Sequence, residues 1–331
     1  MKKINLTFDI GDSYIKIAKR EKGKIVVHSV QMPENLVKEG QIVATHMLSD
    51  FLKDLRNQYK LQKGQCGLVV PDELVVCRNL TLPAMTVDQL KVNLPFEFRD
   101  YISDEPQKYV YDYAMKEMIY DEEGKPKEMN LTGAVMSKES VDIYVNMFKN
   151  AGFNLRVIIP QEISMTSVMR NAVEEGRISA DNEYCIINLG HRTTQVFVFK
   201  GEKLLVLRNI YLGSNSLDKI IAENENVDEI VARTYKNMNY NNVLDKQYVS
   251  DEYGRISLEI RKVINFYRFN NRESELEDIY FVGGGSNLKG LCDMIAESNE
   301  LTYKKMKDLL PSEVEEEINY SGLFALGVML Q

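Results

Sequence analysis

Three short runs in this 331-residue chain bring together residue types suited to holding an anion. Asp9-Ile10-Gly11-Asp12-Ser13-Tyr14-Ile15-Lys16 sets a carboxylate, a glycine, a hydroxyl and an ammonium within eight residues. Glycine in a tight turn lets backbone N–H groups face phosphate with no Cβ in the way, and Ser13 can donate to its oxygens. Asp9, at the strand end, can take Mg²⁺ or a metal-bound water into its shell. Asn188-Leu189-Gly190-His191-Arg192-Thr193-Thr194 has the same layout, with Thr193 as the hydroxyl. Val282-Gly283-Gly284-Gly285-Ser286-Asn287-Leu288 puts three glycines between an apolar strand and a helical stretch, so a flat ligand or phosphate can approach backbone directly. One such turn by itself is an ordinary hairpin with a capping serine, and the glycine cluster fits neither the Walker A nor the G-x-G-x-x-G spacing. The repetition gives the runs their weight.

The elements that must position these runs repeat as well. Gly11 recurs as Gly190, 179 residues on, and the Lys22-Gly23 turn as Lys200-Gly201, 178 residues on. Each copy reads as strand, glycine turn, strand, Lys-Gly turn, strand, then helix: Ile4–Ile10, Tyr14–Lys19 and Lys24–Val30 in the first. That is two similar α/β halves with a cleft between them. A helix is expected over 45–61 and a short buried strand at Cys66–Pro71. Thr86–Tyr101 reads as a helix kinked or broken at Pro95. Tyr109–Tyr120 and Met129–Met136 read as a hairpin, and Lys138–Asn150 as a helix stopped by Gly152. Ser216–Tyr240, Asp251–Asn271 and Tyr320–Leu330 read as helical, and Asp278–Val282 as a strand.

Composition narrows the function classes. Hydrophobic residues are 44% and charged residues 27%, an ordinary globular balance that excludes disordered and fibrous classes. Forty-one basic against 49 acidic residues, with no dense Lys/Arg block, excludes a broad nucleic-acid surface. Cys66, Cys77, Cys185 and Cys292 stand too far apart for a zinc ribbon or a disulfide framework. Asn5, Thr7 and Asp9 interrupt the apolar start after Met1-Lys2-Lys3, which reads as a strand and not a signal peptide. His28 and His46 read as surface histidines, the 15 methionines as core filling, and Glu313-Val314-Glu315-Glu316-Glu317 as a solvated face. Tyr109, Tyr111, Tyr113 and Tyr120 are expected to pack along one side of a strand.

Together the three runs resemble the first phosphate, second phosphate and adenosine motifs of the actin-like ATPase superfamily. Within it the chain is similar to the PilM type of type IV pilus assembly protein, a relative of the division protein FtsA; Leu82–Ile102, Pro160-Gln161-Glu162 and Tyr320–Leu330 extend the likeness over nearly the whole sequence. The resemblance implies a duplicated ribonuclease-H-like actin fold, two lobes flanking a nucleotide cleft. The first lobe takes 1–80 and 156–180 with a subdomain inserted at 81–155. The second takes 181–319 with a helical subdomain at about 214–275, and a C-terminal helix at 320–331 returns to the first lobe.

The resemblance also implies ATP with Mg²⁺ as ligand. Asp9, Gly11, Asp12, Ser13, Tyr14 and Lys16 would serve the first phosphate turn, Gly190, His191, Arg192, Thr193 and Gly213 the second, and Lys236, Gly283, Gly284, Gly285 and Asn287 the nucleoside. Asp9 would hold Mg²⁺ through water; Asp9, Gln161 and Glu162 are the catalytic candidates. The implied partners are the N-terminal cytoplasmic tail of the membrane protein PilN, lying as an extended peptide against the inserted subdomain, and other pilus platform proteins. The implied location is the cytoplasmic face of the inner membrane, reached only through partners.

Two positions depart from the pattern. Asn188 stands where the second phosphate motif has Asp, and an amide ligates metal poorly and accepts no proton from water, so slow or absent hydrolysis is expected. Ala232-Arg233-Thr234-Tyr235-Lys236 keeps the lysine of the family's adenine-proximal pattern but not its acid. His191 and Arg192 add positive potential beside the phosphates. The alternatives are an active ATPase or small-molecule kinase of the same superfamily, for which no compact sugar-binding run appears, and an FtsA-like division protein. The latter needs an amphipathic anchor, and the sequence stops at Gln331 after its last apolar helix.

Overall fold

A computed structural model describes residues 4–38, 40–314 and 320–330, for Tyr320 the backbone alone. The basic start Met1-Lys2-Lys3, the acidic Glu315–Glu317 and the terminal Gln331 lie outside the described residues. In chain order the chain forms β1 (Leu6–Ile10), β2 (Tyr14–Glu21), β3 (Lys24–Gln31), β4 (Val37–Lys38), β5 (Gln41–Ile42), α1 (Thr45–Gln58), β6 (Gln65–Val70) and β7 (Val76–Pro83). Then come α2 (Val87–Glu97), β8 (Tyr109–Tyr120), β9 (Pro126–Ser137), α3 (Lys138–Asn150), β10 (Asn154–Pro160) and α4 (Gln161–Glu174). The second half runs β11 (Glu183–Leu189), β12 (Thr194–Lys200), β13 (Lys203–Ile210), α5 (Asn215–Glu225), α6 (Glu229–Met238), α7 (Gln247–Asn270), β14 (Asp278–Val282), α8 (Lys289–Ser298), β15 (Thr302–Tyr303) and α9 (Leu323–Met329). Two compact units result: Met1–Val43 with Gly67–Val69 and Glu162–Gln331, and Ala44–Cys66 with Val70–Gln161.

The first unit holds both copies of the repeat. β1, β2 and β3 form an antiparallel meander, and Gly67–Val69 of β6 run parallel to Thr7–Asp9 of β1. The second sheet has the order β13-β12-β11-β14-β15, again an antiparallel meander with a parallel strand beyond its first member. Every residue of β1 is buried, as is all of β11 after Glu183, the mark of a strand covered on both faces. Over the second sheet α7 lays a stripe of Val249, Tyr253, Ile256, Ile260, Ile264 and Tyr267 against Cys185, Ile187, Val196 and Val198, at the three-and-four spacing of a helix face.

α9 is buried on all sides. Ala325 O accepts from Thr7 Oγ1 at 2.6 Å, Phe324 O accepts from Ser164 Oγ of α4 at 2.5 Å, and the Phe324 ring lies 6.3 Å from Phe197 of β12. The expected helix over Tyr320–Leu330 is thus shorter, opening with a 3₁₀ turn at Tyr320–Gly322. The expected helical run Ser216–Tyr240 is likewise two helices, because Asn226 turns left-handed (φ 55°) to end α5 and Asp228 caps α6 through the N–H groups of Ile230 and Val231.

In the second unit α1 and α3 are tied by Ser49 Oγ donating to Met147 O at 3.2 Å and Arg56 donating to Ala151 O at 2.6 Å. A separate sheet, β7-β9-β8, carries α2 on one face, where Leu90, Leu94 and Phe98 pack with Leu80, Leu82 and Leu131. Thr86 and Gln89 form a capping box at the start of α2. Pro95 does not break that helix, which ends two residues later: so near the end the ring removes one helical donor and disturbs little else. Tyr109, Tyr111 and Tyr113 lean on the same core, whereas Tyr120 is exposed.

Candidate functional site

The first glycine turn, Gly11–Ser13, joins β1 to β2. Ile10 faces Ile15 as the last ladder pair, and Gly11 N donates to Tyr14 O at 3.0 Å. That register sets Asp9 opposite Lys16, whose Nζ lies 3.2 Å from Asp9 Oδ2, with both side chains largely out of solvent. The ammonium sits close over the turn, 3.1 Å from where a Cβ on Gly11 would be.

The second turn is built on the same frame. Leu189 faces Thr194, and Gly190 N donates to Thr193 O at 3.0 Å. Here glycine is required by close approach, since a Cβ on Gly190 would stand 2.5 Å from the Thr193 carbonyl. The register that paired Asp9 with Lys16 now pairs Asn188 with Gln195: Asn188 Nδ2 donates to Gln195 Oε1 at 2.8 Å, and Gln195 Nε2 to Asn209 Oδ1 at 3.2 Å. A neutral amide ladder across three strands replaces an ion pair. Asn188 Oδ1 lies against Gly283, whose φ of +84° admits glycine and whose missing Cβ makes room for that oxygen and the Leu189 carbonyl.

The three glycine runs come together around the second turn. Ser214 N donates to Gly190 O at 2.9 Å and Asn215 N to His191 O at 2.8 Å, so Gly213 lies flat against His191 and Arg192. Gly285 abuts Leu189. The first turn joins them through Asp12, whose Oδ2 is 3.5 Å from Arg192 Nε and whose Oδ1 accepts from Gly40 N at 2.8 Å. Gly40 lies between β4 and β5. Gly11 and Gly190 therefore belong to one site.

A buried charge cluster braces the second turn from behind. Asp218, fully buried on α5, meets Lys236 Nζ at 2.6 Å and Arg233 Nε at 3.1 Å, and Lys236 Nζ also donates to Ser214 O at 2.9 Å. The Lys236 ammonium is thus spent inside the protein. Burial lowers its pKa, opposed by the charge of Asp218. His191 Nε2 lies 3.5 Å from the Arg233 guanidinium. Burial first, and the Arg233 charge second, lower its pKa to about 4, so the expected cation at His191 is a neutral imidazole near pH 7; Arg192 alone of the two carries charge.

The residues present fit an anionic ligand. Arg192 Nε is buried and makes no hydrogen bond, its 3.5 Å approach to Asp12 being an ion pair only. The backbone N–H groups of Asp12, Ser13, His191 and Arg192 donate to no described acceptor. Unpaired donors flanked by Lys16 and Arg192 are what a phosphate group satisfies. Among the described residues no cluster of three or more His, Cys, Asp or Glu side chains gathers, so a Mg²⁺ here would rest on Asp9, waters and ligand oxygens, its usual coordination.

The remaining candidates take varied places. Ser13 and Tyr14 lend carbonyls to Met32 N and Gly11 N. Gly283 O accepts from Ser286, and Gly284 and Asn287 are exposed, Asn287 Nδ2 donating to Gly284 O at 3.2 Å. Gln161 and Glu162 are the half-buried opening residues of α4. Gly40, Gln195, Asn209, Asp218 and Arg233 join the site without having been nominated from sequence. For Gln195 a signal existed: the 179-residue offset maps Lys16 onto it.

A family model described as type IV pilus assembly protein PilM matches residues 7–323. No curated protein sequence matches. A solved PilM-PilN type IV pilus biogenesis complex is similar with a TM-score of 0.79 at 21% identity, covering 98% of this chain and 97% of that one. The ethanolamine utilization protein EutJ from Carboxydothermus hydrogenoformans is similar with a TM-score of 0.61 at 13% identity, covering 98% and 89%. MreB5 of Spiroplasma citri, bound to AMPPNP, follows with a TM-score of 0.53 at 12% identity, covering 99% and 95%. The fold is that of the actin-like ATPases.

Proposed function

The chain belongs to the PilM family of type IV pilus assembly proteins, and from that premise we propose that it is a nucleotide-binding scaffold that hydrolyses ATP slowly or not at all. Asp9 would hold Mg²⁺ through water. Lys16, Arg192 and the turn N–H groups would hold the phosphates, and the Gly283–Gly285 run with Asn287 would face the nucleoside. Mg²⁺ supplies charge neutralisation for the phosphates when bound. The observation that carries the proposal is the pairing of two intact turns with a neutral Asn188–Gln195 amide pair where the first copy has Asp9–Lys16. Such a site positions phosphate, but its second turn offers no carboxylate to take a proton from attacking water. Lys236, held by Asp218 and Ser214, contributes by bracing the turn.

Binding without turnover is sufficient for a scaffold, because a ligand held by the folded state stabilises that state by mass action. The ordered lobes, the first over 1–80 and 156–180 and the second over 181–319 with its helical part near 214–275, would present the inserted subdomain at 81–155 to the cytoplasmic tail of PilN. Such an arrangement would put the protein at the inner face of the membrane through its partners, with other platform proteins nearby. One observation supports a partner-bound role: Val92 and Phe96 of α2 are more than half exposed.

Calorimetric titration with ATP–Mg²⁺ tests the nucleotide, and absence of heat and of thermal shift at millimolar nucleotide removes it. Phosphate release at roughly 1 s⁻¹ or faster would make the protein an enzyme instead. A synthetic PilN tail peptide should bind the full chain and fail to bind when Phe96 is changed to Asp.

A further inference from the structure

We propose that Asp12 and Arg192 form a clasp across the two glycine turns, which an anionic polyphosphate opens by taking Arg192 away from Asp12. The inference rests on the nucleotide-binding proposal and concerns how that site is gated. Asp12 belongs to the first turn and Arg192 to the second, and their 3.5 Å ion pair joins the two copies of the repeat at their tips. Gly40, from the β4–β5 hairpin, donates to the other carboxylate oxygen at 2.8 Å, which holds Asp12 in this orientation. The Arg192 guanidinium reaches the same glycine, lying 3.0 Å from where a Cβ on Gly40 would be.

The pair is poorly made. Arg192 Nε is buried yet forms no hydrogen bond, so its donor capacity is unspent. A phosphate oxygen offers it a charged acceptor of better geometry and higher charge than Asp12 does. At 3.5 Å the pair is long and carries no hydrogen bond through Arg192 Nε, so it opens at small cost. Asp12 is also a like charge beside any phosphate held by the first turn. It therefore opposes binding twice, by occupying Arg192 and by repulsion. Arg192 is the contested group, and the β4–β5 hairpin, anchored to Asp12, is the element that senses the outcome.

The test is calorimetry with ATP–Mg²⁺ and, separately, with inorganic tripolyphosphate, on the full chain and on Asp12→Asn, Arg192→Gln and the double variant. Asp12→Asn keeps an acceptor for Gly40 N–H; Asp12→Ser serves as a second neutral variant, and circular dichroism confirms folding. Asp12→Asn should tighten binding about tenfold, and Arg192→Gln should weaken it about tenfold. In the Arg192→Gln background the gain from Asp12→Asn should shrink to about threefold or less, because there is no longer an arginine to release. If Asp12→Asn leaves affinity within twofold or weakens it, or if its effect is the same with and without Arg192, the clasp is wrong while the nucleotide proposal stands. If tripolyphosphate shows the expected pattern and ATP does not bind, the clasp stands and the nucleotide proposal fails. If neither ligand binds any variant, both fall.

Discussion

At the first turn the residue across the hairpin from Asp9 is a lysine; at the second the residue across from Asn188 is a glutamine. The backbone frames coincide, down to a 3.0 Å bond from each glycine N–H to a carbonyl three residues on. Backbone geometry therefore does not decide what each turn can do. The first keeps a carboxylate and an ammonium that can exchange partners with a metal and a phosphate. The second ties its amide into a ladder ending at Asn209, a rigid and uncharged support. Packing differs too: the first glycine has the flexible tip of Lys16 as its nearest neighbour, whereas Gly190 presses on backbone.

The largest break in this comparison should come from alanine at the two glycines. Gly190→Ala should cost about 3 kcal/mol by urea unfolding, because the Thr193 carbonyl must move, and Gly11→Ala about 1 kcal/mol, because Lys16 can swing aside and the Tyr14 carbonyl, 3.2 Å from the new Cβ, need give only slightly. Equal costs would mean the turns are not packed differently.

The next concerns position 191, the counterpart of Asp12. His191 takes up a proton near pH 4 when folded and near 6.5 when unfolded, so between these values the unfolded chain binds the proton the folded chain refuses. Stability is whole above about pH 7 and falls as pH drops from 6.5 toward 4, by on the order of 2–3 kcal/mol. The difference between the native chain and His191→Gln across that window should show this slope, and superimposable curves would remove His191 as its source.

Moving the charge sharpens the contrast. Asn188→Asp buries a carboxylate in the amide ladder and should lower unfolding free energy by about 2 kcal/mol. Adding Gln195→Lys rebuilds the first-turn pair in the second and should return stability to within about 1 kcal/mol of the native chain. Mg²⁺-dependent phosphate release from that double variant, above the native rate, would show the missing acid to be what limits turnover.

The twin turns were legible because hairpin register is local. A glycine loop of set length between two strands dictates which residues face each other, and the offset carries that geometry from one copy to the other. The covered strands were legible as short apolar runs. What escaped was long-range or cooperative. The two-residue strands of the β4–β5 hairpin give no periodic signal, so Gly40 was invisible, and nothing near Arg192 announces that its side chain spans to Asp12. His191 counted as a cation by residue type, and its neutrality follows only from burial beside Arg233. Asn226, an unremarkable residue in a polar stretch, splits one expected helix into two by adopting a left-handed backbone. β7 and β10 passed unread between stronger signals.

The hydrogen bond from Thr7 to the carbonyl of Ala325 bridges 318 positions of chain. A ribosome making this protein delivers β1 long before its cover. Until residues 323–329 have left the exit tunnel, the apolar face that α9 seals stays open to water and to other nascent chains. The first sheet must wait in an incomplete state while the residues between β1 and α9 are made, the interval in which a chaperone has most to gain by binding it.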